Sequence, residues 1–366
     1  MELPLVAVVA AVLVGLVLLT VGGDTLVNGA TRVSRRFGMS AATVGATVVA
    51  TATSAPELAV STGAVLHGDH GLALGNVVGS NIANVLLVLG AAALVSPIRI
   101  PARVRRVDIP VCAAATALLL ALSLNGRLGP LDGAVLLLVF AAMIGRAVHA
   151  TRSGSGASVP VGSESEGDAE APVPATSLVS SGDGAITDTL ARVDGADAGA
   201  PGAGDEAERG ESRPSAWPGV LLVLVGTAIL VGGAELLVLG AEQIALGLGV
   251  SDLVVGLTVV AIGTSLPELA AAISAGRAGT AALAVGNAVG SNVANIGLVL
   301  GLPVILVAAI PVPATTTRQD LPLALLVLMV VWVLARWRGG LDRLAGILLL
   351  GGYAAYLASL VVSAVP

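Results

Sequence analysis

Two glutamates stand in matching surroundings: Glu57 closes the run Thr53, Ser54, Ala55, Pro56, Glu57, and Glu268 closes Thr264, Ser265, Leu266, Pro267, Glu268. Both lie inside long apolar stretches, where an ionised carboxylate needs a cavity, a partner or a cation to be tolerated. A second motif, G-N-x-V-G-S-N-x-A-N, covers Gly75 to Asn84 and Gly286 to Asn295. Within it Ser80 and Asn84, and likewise Ser291 and Asn295, are four apart and share one helical face. Each pair offers a hydroxyl and an amide. Gly75 and Gly79, with Gly286 and Gly290, are expected to let neighbouring helices come close enough for these groups to meet the glutamates. The resulting ligand set is oxygen only, with no Cys or His near it. Such hard donors suit Ca²⁺, Na⁺ or other hard cations rather than zinc or copper, and two carboxylates match a divalent charge.

The elements that must position these groups are written twice. Val255 to Gly301 repeats Val44 to Gly90 at a constant offset of 211 residues without a gap, and 28 of the 47 aligned positions are identical. With 55% hydrophobic and 11% charged residues and a mean hydropathy of +0.95, the chain does not describe a soluble domain. A spanning helix needs ~20 apolar residues, and ten such stretches occur, near 3–23, 42–66, 72–95, 107–125, 131–150, 217–240, 252–275, 281–310, 320–337 and 341–364. Met1 is followed by Glu2 rather than a basic segment, and no small-residue cleavage pattern follows, so the first span is expected to remain. Five spans per repeat is odd, so the second copy enters the bilayer from the opposite side. The expected fold is an all-α integral membrane protein of ten transmembrane helices, arranged as two inverted five-helix repeats. Pro56 and Pro267 each remove a backbone donor and free carbonyls near Ala52 and Thr53, and near Gly263 and Thr264. Helices broken at the midplane are therefore expected.

All 18 basic residues are Arg. With the N-terminus outside, thirteen of them fall in inner loops or at inner helix ends and only Arg127 and Arg318 outside; Arg192, Arg209 and Arg213 lie in the long central segment. The positive-inside rule thus places both termini outside in a multi-pass cell-membrane protein. Residues 1–150 form the first repeat, 217–366 the second, and 151–216 a disordered cytoplasmic loop rich in Gly, Ser, Ala, Pro and acids. That loop carries twelve of the 24 acidic residues but lacks the ligand spacing of an EF-hand, so a calcium-sensing role has little support. Cys112 cannot form an internal disulfide and is read as packing. Asp24 and Glu235 also match at the 211 offset, each after a glycine pair expected to form a turn late in its span; a role at the membrane surface or in helix contacts is favoured over ion binding. His67, Asp69 and His70 read as a solvated outer turn. Arg99, Arg103, Arg105 and Arg106 read as topology signals and lipid-headgroup contacts.

Both motifs, present in both copies, resemble those of the sodium/calcium exchangers of the cation/calcium antiporter superfamily, whose two repeats carry G-T-S-x-P-E and G-S-N-x-x-[ND]; the chain looks like a prokaryotic member. The resemblance covers both halves and leaves out the central loop. It implies alternating access in which Ca²⁺ and Na⁺ use overlapping sites. It further implies a calcium site of Glu57, Glu268 and the backbone oxygens of Thr53 and Thr264. Flanking sodium sites would draw on Ser54, Ser80, Ser265, Ser291 and the carbonyls of Ala50 and Ala261, with Asn84 and Asn295 completing the centre. An exchange of three Na⁺ for one Ca²⁺ would move one net charge, worth ~2.3 kcal/mol per 100 mV. Two positions depart from the pattern: Ala52, where Gly is usual and Gly263 stands in the second copy, and Asn295, where many members have Asp. An amide cannot titrate, so proton coupling cannot run through Asn295, although Glu57 and Glu268 can still bind protons.

Other classes compete with this reading. A proton/calcium antiporter differs only in the coupling ion, and a passive cation channel would also use an oxygen-lined midplane site. An intramembrane hydrolase built on two carboxylates fits poorly, because the acids sit among Ser and Asn and no G-x-S-x-G or H-E-x-x-H run occurs. No enzymatic activity, cofactor or nucleic-acid partner is expected; the partners are the transported ions Ca²⁺ and Na⁺ and the lipid bilayer.

Overall fold

The computed structural model describes residues 4–152, 217–248 and 261–364. Its helices are α1 (Leu5–Phe37), α2 (Ala41–Val44), α3 (Ala50–Thr53), α4 (Ala55–Leu66), α5 (His70–Ala83), α6 (Leu89–Val95), α7 (Ile109–Ser123), α8 (Pro130–Arg152), α9 (Trp217–Gly247), α10 (Ala261–Gly263), α11 (Leu266–Arg277), α12 (Ala281–Ala294), α13 (Gly301–Leu306), α14 (Leu321–Arg338) and α15 (Arg343–Ala364). Wider π turns occupy Gly45–Val49, Asn84–Val88, Val104–Asp108, Asn295–Leu300 and Thr316–Asp320. Most of the central loop read as disordered, and residues 249–260 of the expected seventh span, lie outside the described residues.

Among the described residues eight stretches are long and apolar enough to cross a membrane. The two other expected spans differ for a local reason. The stretch 42–66 is divided at Ser54, leaving the shorter apolar helices Ala41–Thr53 and Ala55–Leu66. The stretch 252–275 is described from Ala261 and interrupted between α10 and α11. In lipid every backbone polar group must be satisfied internally, which is why the apolar sequence folds as helix almost throughout.

α1 and α9 run well past the spans expected at 3–23 and 217–240. With 33 residues α1 is ~50 Å long at ~1.5 Å per residue, more than the ~30 Å of hydrocarbon it has to cross. It ends where Gly38 adopts φ 64°, whose N–H bonds back to Ser34 O. The two helices pack along their length through glycine. A Cβ on Gly15 would come within 2.8 Å of Gly233 O, on Gly22 within 2.8 Å of Leu230 N, and on Gly226 within 2.5 Å of Leu26 N. Gly22, Gly23, Gly232 and Gly233 are therefore not turns, as the sequence suggested, but lie inside continuous helix. Gly22 and Gly233 sit at the contact between the helices, and Gly23 lies against Ser274 and Ala270 of α11. Asp24 and Glu235 are consequently mid-helix residues on exposed faces.

Two short ribbons tie the halves together outside the helices. β1 (Ile98–Arg99) pairs antiparallel with β4 (Gly340–Leu341), and β2 (Arg127–Leu128) with β3 (Ile310–Pro311). The arginines beside β1 do more than mark topology. Arg103 Nη1 donates to Thr43 Oγ1 at 3.0 Å, Arg105 Nη1 donates to Ala335 O at 3.3 Å, and Trp332 Nε1 donates to Arg105 O at 2.9 Å. The 99–106 stretch thus fastens α2 and the end of α14. Residues 67–69 form an exposed turn, in which Asp69 caps α5 by accepting from Leu72 N at 3.1 Å and the His67 ring bonds Gly63 O at 2.7 Å. Cys112 is buried in the apolar core.

The glycine contacts give a stability prediction. Gly226→Leu should lower the melting temperature of the detergent-solubilised protein by many degrees, because the backbone of α1 stands where the new side chain must go. Gly232→Ala, with nothing within 4 Å of the added Cβ, should leave it unchanged or raise it, since alanine is better than glycine in a helix by ~1 kcal/mol.

Candidate cation site

The break at Ser54 places the first carboxylate. Ser54 has φ −80° and ψ 5°, ending α3 and starting α4, with Pro56 in the first turn. Ser265 repeats the geometry at φ −90° and ψ 1° before α11 and Pro267. Proline is tolerated there because first-turn N–H groups have no intrahelical acceptor. Glu57 and Glu268 each fall in the first turn of the new helix, where free N–H groups and the helix dipole favour negative charge by roughly 0.3–1 kcal/mol. Both residues are completely buried, and they lie close enough to feel each other's charge.

The polar residues around them come from both halves. α4 packs on the turn Asn295–Leu300, and α11 packs on α6 and the turn Asn84–Val88. α2 and the turn Gly45–Val49 lie against α12. Gly286 and Gly290 make that contact possible, since a Cβ on either would strike the backbone of Ala42 or Ala46. Gly75 and Gly79 meet nothing within 4 Å among the described residues; the stretch matching Ala42 and Ala46 is 253–257, outside the described residues. Asn84 and Asn295 each open a π turn, a widening that often marks functional sites.

The placement of the predicted residues is consistent across the repeats. Thr53, Ser54, Glu57, Ser80, Asn84, Ser265, Glu268, Ser291 and Asn295 are all buried, and Thr264 is half-buried. The hydroxyls of Ser54, Ser80, Ser265 and Ser291, both oxygens of each glutamate, and both amide atoms of Asn84 and Asn295 have no hydrogen-bond partner in the protein. Buried polar atoms are normally satisfied, so these unsatisfied oxygens make the candidate ligand set of a cation site. Ala50 is buried, and its carbonyl already accepts from Ser54 N at 3.0 Å. The second half differs: Ser265 N bonds Ile262 O rather than Ala261 O. The Ala52 departure does not prevent the helix break. Glycine stands at the matching position 263 because a Cβ there would meet the Val238 side chain of α9.

Four asparagines escaped the sequence reading. Asn81 Nδ2 donates to Asn292 O at 3.3 Å, and Asn292 Nδ2 donates to Asn81 O at 3.2 Å. The pair is separated by the repeat offset itself, so each residue bonds its own counterpart. Asn76 Nδ2 donates to Glu57 O at 3.2 Å and to Ser61 Oγ at 2.9 Å, while Thr53 Oγ1 donates to Asn287 Oδ1 at 3.4 Å. All four lie within the G-N-x-V-G-S-N motif. Their identity at both copies was visible, but their bonds join helices that the spacing alone does not bring together.

Known proteins share this architecture. Residues 7–148 and 218–362 match the family described as sodium/calcium exchanger protein. The chain is 34% identical over 363 residues to inner membrane protein YrbG of Escherichia coli strain K12, covering 96% of each chain. It is 48% identical over 87 residues to the sodium/calcium exchanger MaX1 of Methanosarcina acetivorans, covering 24% of this chain and 25% of that one. A structure of the sodium-calcium exchanger NCX_Mj soaked with 10 mM Na⁺ and zero Ca²⁺ superposes with a TM-score of 0.73 at 29% identity, over 97% of this chain and 99% of that one.

The reciprocal asparagine bonds can be weighed by a double-mutant cycle. Asn81→Ala and Asn292→Ala should each destabilise the solubilised protein. Their combination should cost close to the sum, because each substitution removes only its own Nδ2 donor and leaves in place the backbone carbonyl that the other amide bonds. Single variants as stable as the wild type in a denaturation assay would show that these bonds contribute nothing to the fold.

Proposed function

Because the chain belongs to the sodium/calcium exchanger family, we propose that this integral membrane antiporter exchanges Ca²⁺ for Na⁺ by alternating access at the site around Glu57 and Glu268. The family is one of transporters rather than enzymes, and cation/Ca²⁺ antiport is its common activity. The observation that carries the fuller reading is the pair of buried glutamates, one from each half, with none of their four carboxylate oxygens bonded within the protein. A divalent cation supplies what two such carboxylates lack. In this reading Glu57, Glu268 and the backbone oxygens of Thr53 and Thr264 bind Ca²⁺. Ser54, Ser80, Ser265, Ser291 and the carbonyls of Ala50 and Ala261 serve flanking Na⁺ positions, with Asn84 and Asn295 at the centre.

We further propose the ten-span inverted arrangement, with residues 1–150 and 217–366 as the two repeats, 151–216 between them on the cytoplasmic side and both termini outside. The two ribbons support it: each joins a pair of loops that the arginine distribution assigns to one side of the membrane, 98–99 with 340–341 inside and 127–128 with 310–311 outside. The mutual bonds of Asn81 and Asn292 are what an axis between two related halves would produce. Proton coupling is the second reading; it would run through Glu57 and Glu268, since Asn295, which stands where a third carboxylate is common, cannot titrate.

Vesicles loaded with Na⁺ and diluted into Na⁺-free medium separate the readings. ⁴⁵Ca²⁺ uptake that requires internal Na⁺ is expected; uptake driven only by an internally acid pH gradient would assign the coupling to protons, and uptake with no counter-ion gradient would indicate a channel. Glu57→Gln and Glu268→Gln should each abolish uptake while leaving the protein folded in the membrane, and near-normal flux in either would remove these residues from the site. Ser80→Ala and Ser291→Ala should weaken Na⁺ dependence more than Ca²⁺ affinity.

A further inference from the structure

A third motif, R-x-D-[IL]-P, recurs beyond the aligned stretch, as Arg106 to Pro110 at the start of α7 and Arg318 to Pro322 at the start of α14. The surroundings of its two aspartates differ. Asp108 has the guanidiniums of Arg103 and Arg146 within electrostatic reach, whereas the residue that matches Arg103 in the second copy is Thr315. Asp108, Arg103 and Arg146 line a cavity of about 20 Å³, together with Thr43 and Thr47. That is room for one oxygen-sized group. The other walls are apolar and include Val111 of α7 and Met143 of α8. Two guanidiniums against one carboxylate leave the cavity positively charged. Arg103 Nη1 donates to Thr43 Oγ1 at 3.0 Å. Arg146 Nη2 stands 4.0 Å from Asp108 Oδ1, which is too far for a hydrogen bond, and its side chain is 52% exposed.

We propose that this cavity binds the phosphate of an anionic phospholipid: one phosphate oxygen enters between Arg103 and Arg146, and the rest of the headgroup lies at the mouth beside the exposed end of Arg146. Arginine donates to phosphate through strong, directional, charge-assisted bonds, and basic pockets between membrane helices suit anionic headgroups. A lipid also fits the mixed lining, since Val111 and Met143 can meet its glycerol and first acyl carbons while the guanidiniums hold its charge. Asp108 acts in two senses. It keeps both guanidiniums at the cavity, yet it repels the phosphate and so limits the affinity. The bound phosphate would join α7 and α8 to α2 through the bond from Arg103 to Thr43, at the start of the broken span that leads to Thr53 and Glu57. With Thr315 in place of the arginine, the second copy does not repeat this arrangement at the other membrane face. Which leaflet supplies the lipid follows from the topology proposed above, but the binding itself does not depend on the exchange reading.

The test is a lipid titration of the full chain in neutral detergent, read as the rise in melting temperature and requiring no transport. Phosphatidylglycerol should raise it saturably, and phosphatidylcholine at the same concentration should not. Arg146→Gln should increase the half-saturating phosphatidylglycerol concentration ~10-fold, the loss expected for one charge-assisted hydrogen bond. Asp108→Asn should lower that concentration several-fold, because it removes the like charge from the cavity. Arg343→Gln changes an exposed arginine that the topology assigns to the same membrane face but that lies outside the cavity, and it should leave binding unchanged. Arg103→Gln also breaks the bond to Thr43, so the half-exposed Arg146 carries the test if that variant fails to fold. Equal stabilisation by the two lipids, an Arg343 variant as weak as the Arg146 variant, or an Asp108→Asn chain that binds less tightly would each overturn the proposal. Inorganic phosphate that stabilised the protein as well as the lipid at equal concentration would overturn the lipid assignment in favour of a free anion.

Discussion

Two fully buried carboxylates, one from each half of a membrane protein, are the constraint from which the rest of the structure follows. In water such a pair would be hydrated; in a low-dielectric interior it repels itself and has lost its solvent. The fold does not neutralise it with arginine, for every arginine of the described residues lies toward the helix ends, and Arg146 and Arg338 pair with Asp108 and Asp342 rather than with the glutamates. Instead it surrounds the pair with partial charges. Breaking the helix at Ser54 and Ser265 turns two helix N-termini toward the carboxylates, and the same breaks remove the backbone bonds that a proline could not make. The serines and asparagines complete a polar surface that is strongly oriented yet not saturated. Such a surface can hold a cation and give it up again, since no fixed protein charge competes permanently for the carboxylates.

Neither half owns this site. Glu57 sits on a helix packed against the second half's π turn, Glu268 on a helix packed against the first half's. Asn81 and Asn292 fasten the halves to each other through reciprocal amide bonds, and Thr53 reaches Asn287 across the same boundary. Duplication explains why the parts are alike, but like parts are not equivalent in any one arrangement. The hydrogen-bond acceptor of Ser265 N is displaced by one residue relative to that of Ser54 N, and Gly263 accommodates Val238 where Ala52 has room for a methyl.

Much of this was legible in the sequence, and for a physical reason. Carboxylates in apolar runs, prolines one residue before them, and hydroxyls and amides four apart are local features whose consequences are local: helix breaks, buried acids and a shared helical face. What could not be read depends on distance in space. The lengths of α1 and α9 were underestimated because hydropathy falls at Asp24 and Glu235 while the helices continue, held by glycines at a contact no single helix reveals. The same contact turned supposed loop glycines into packing positions. Arg103 and Arg105 were read as topology signals because their partners Thr43 and Ala335 are remote in sequence. The π turns that begin at Asn84 and Asn295 carry no composition signature at all.

The ribbon between β1 and β4 has a consequence for how the chain is made. Ile98 pairs with Leu341, so the first half cannot finish this edge until almost the whole chain has been synthesised. At ~5–20 residues per second, the 242 intervening residues correspond to a delay of roughly 10–50 s. Throughout that interval Glu57 and Asn81 stand in the bilayer without the helices that will enclose them. Biogenesis of this protein therefore passes through a long-lived half-molecule with polar groups facing lipid, a natural client for insertion chaperones and a natural target for membrane proteases when the second half fails to arrive.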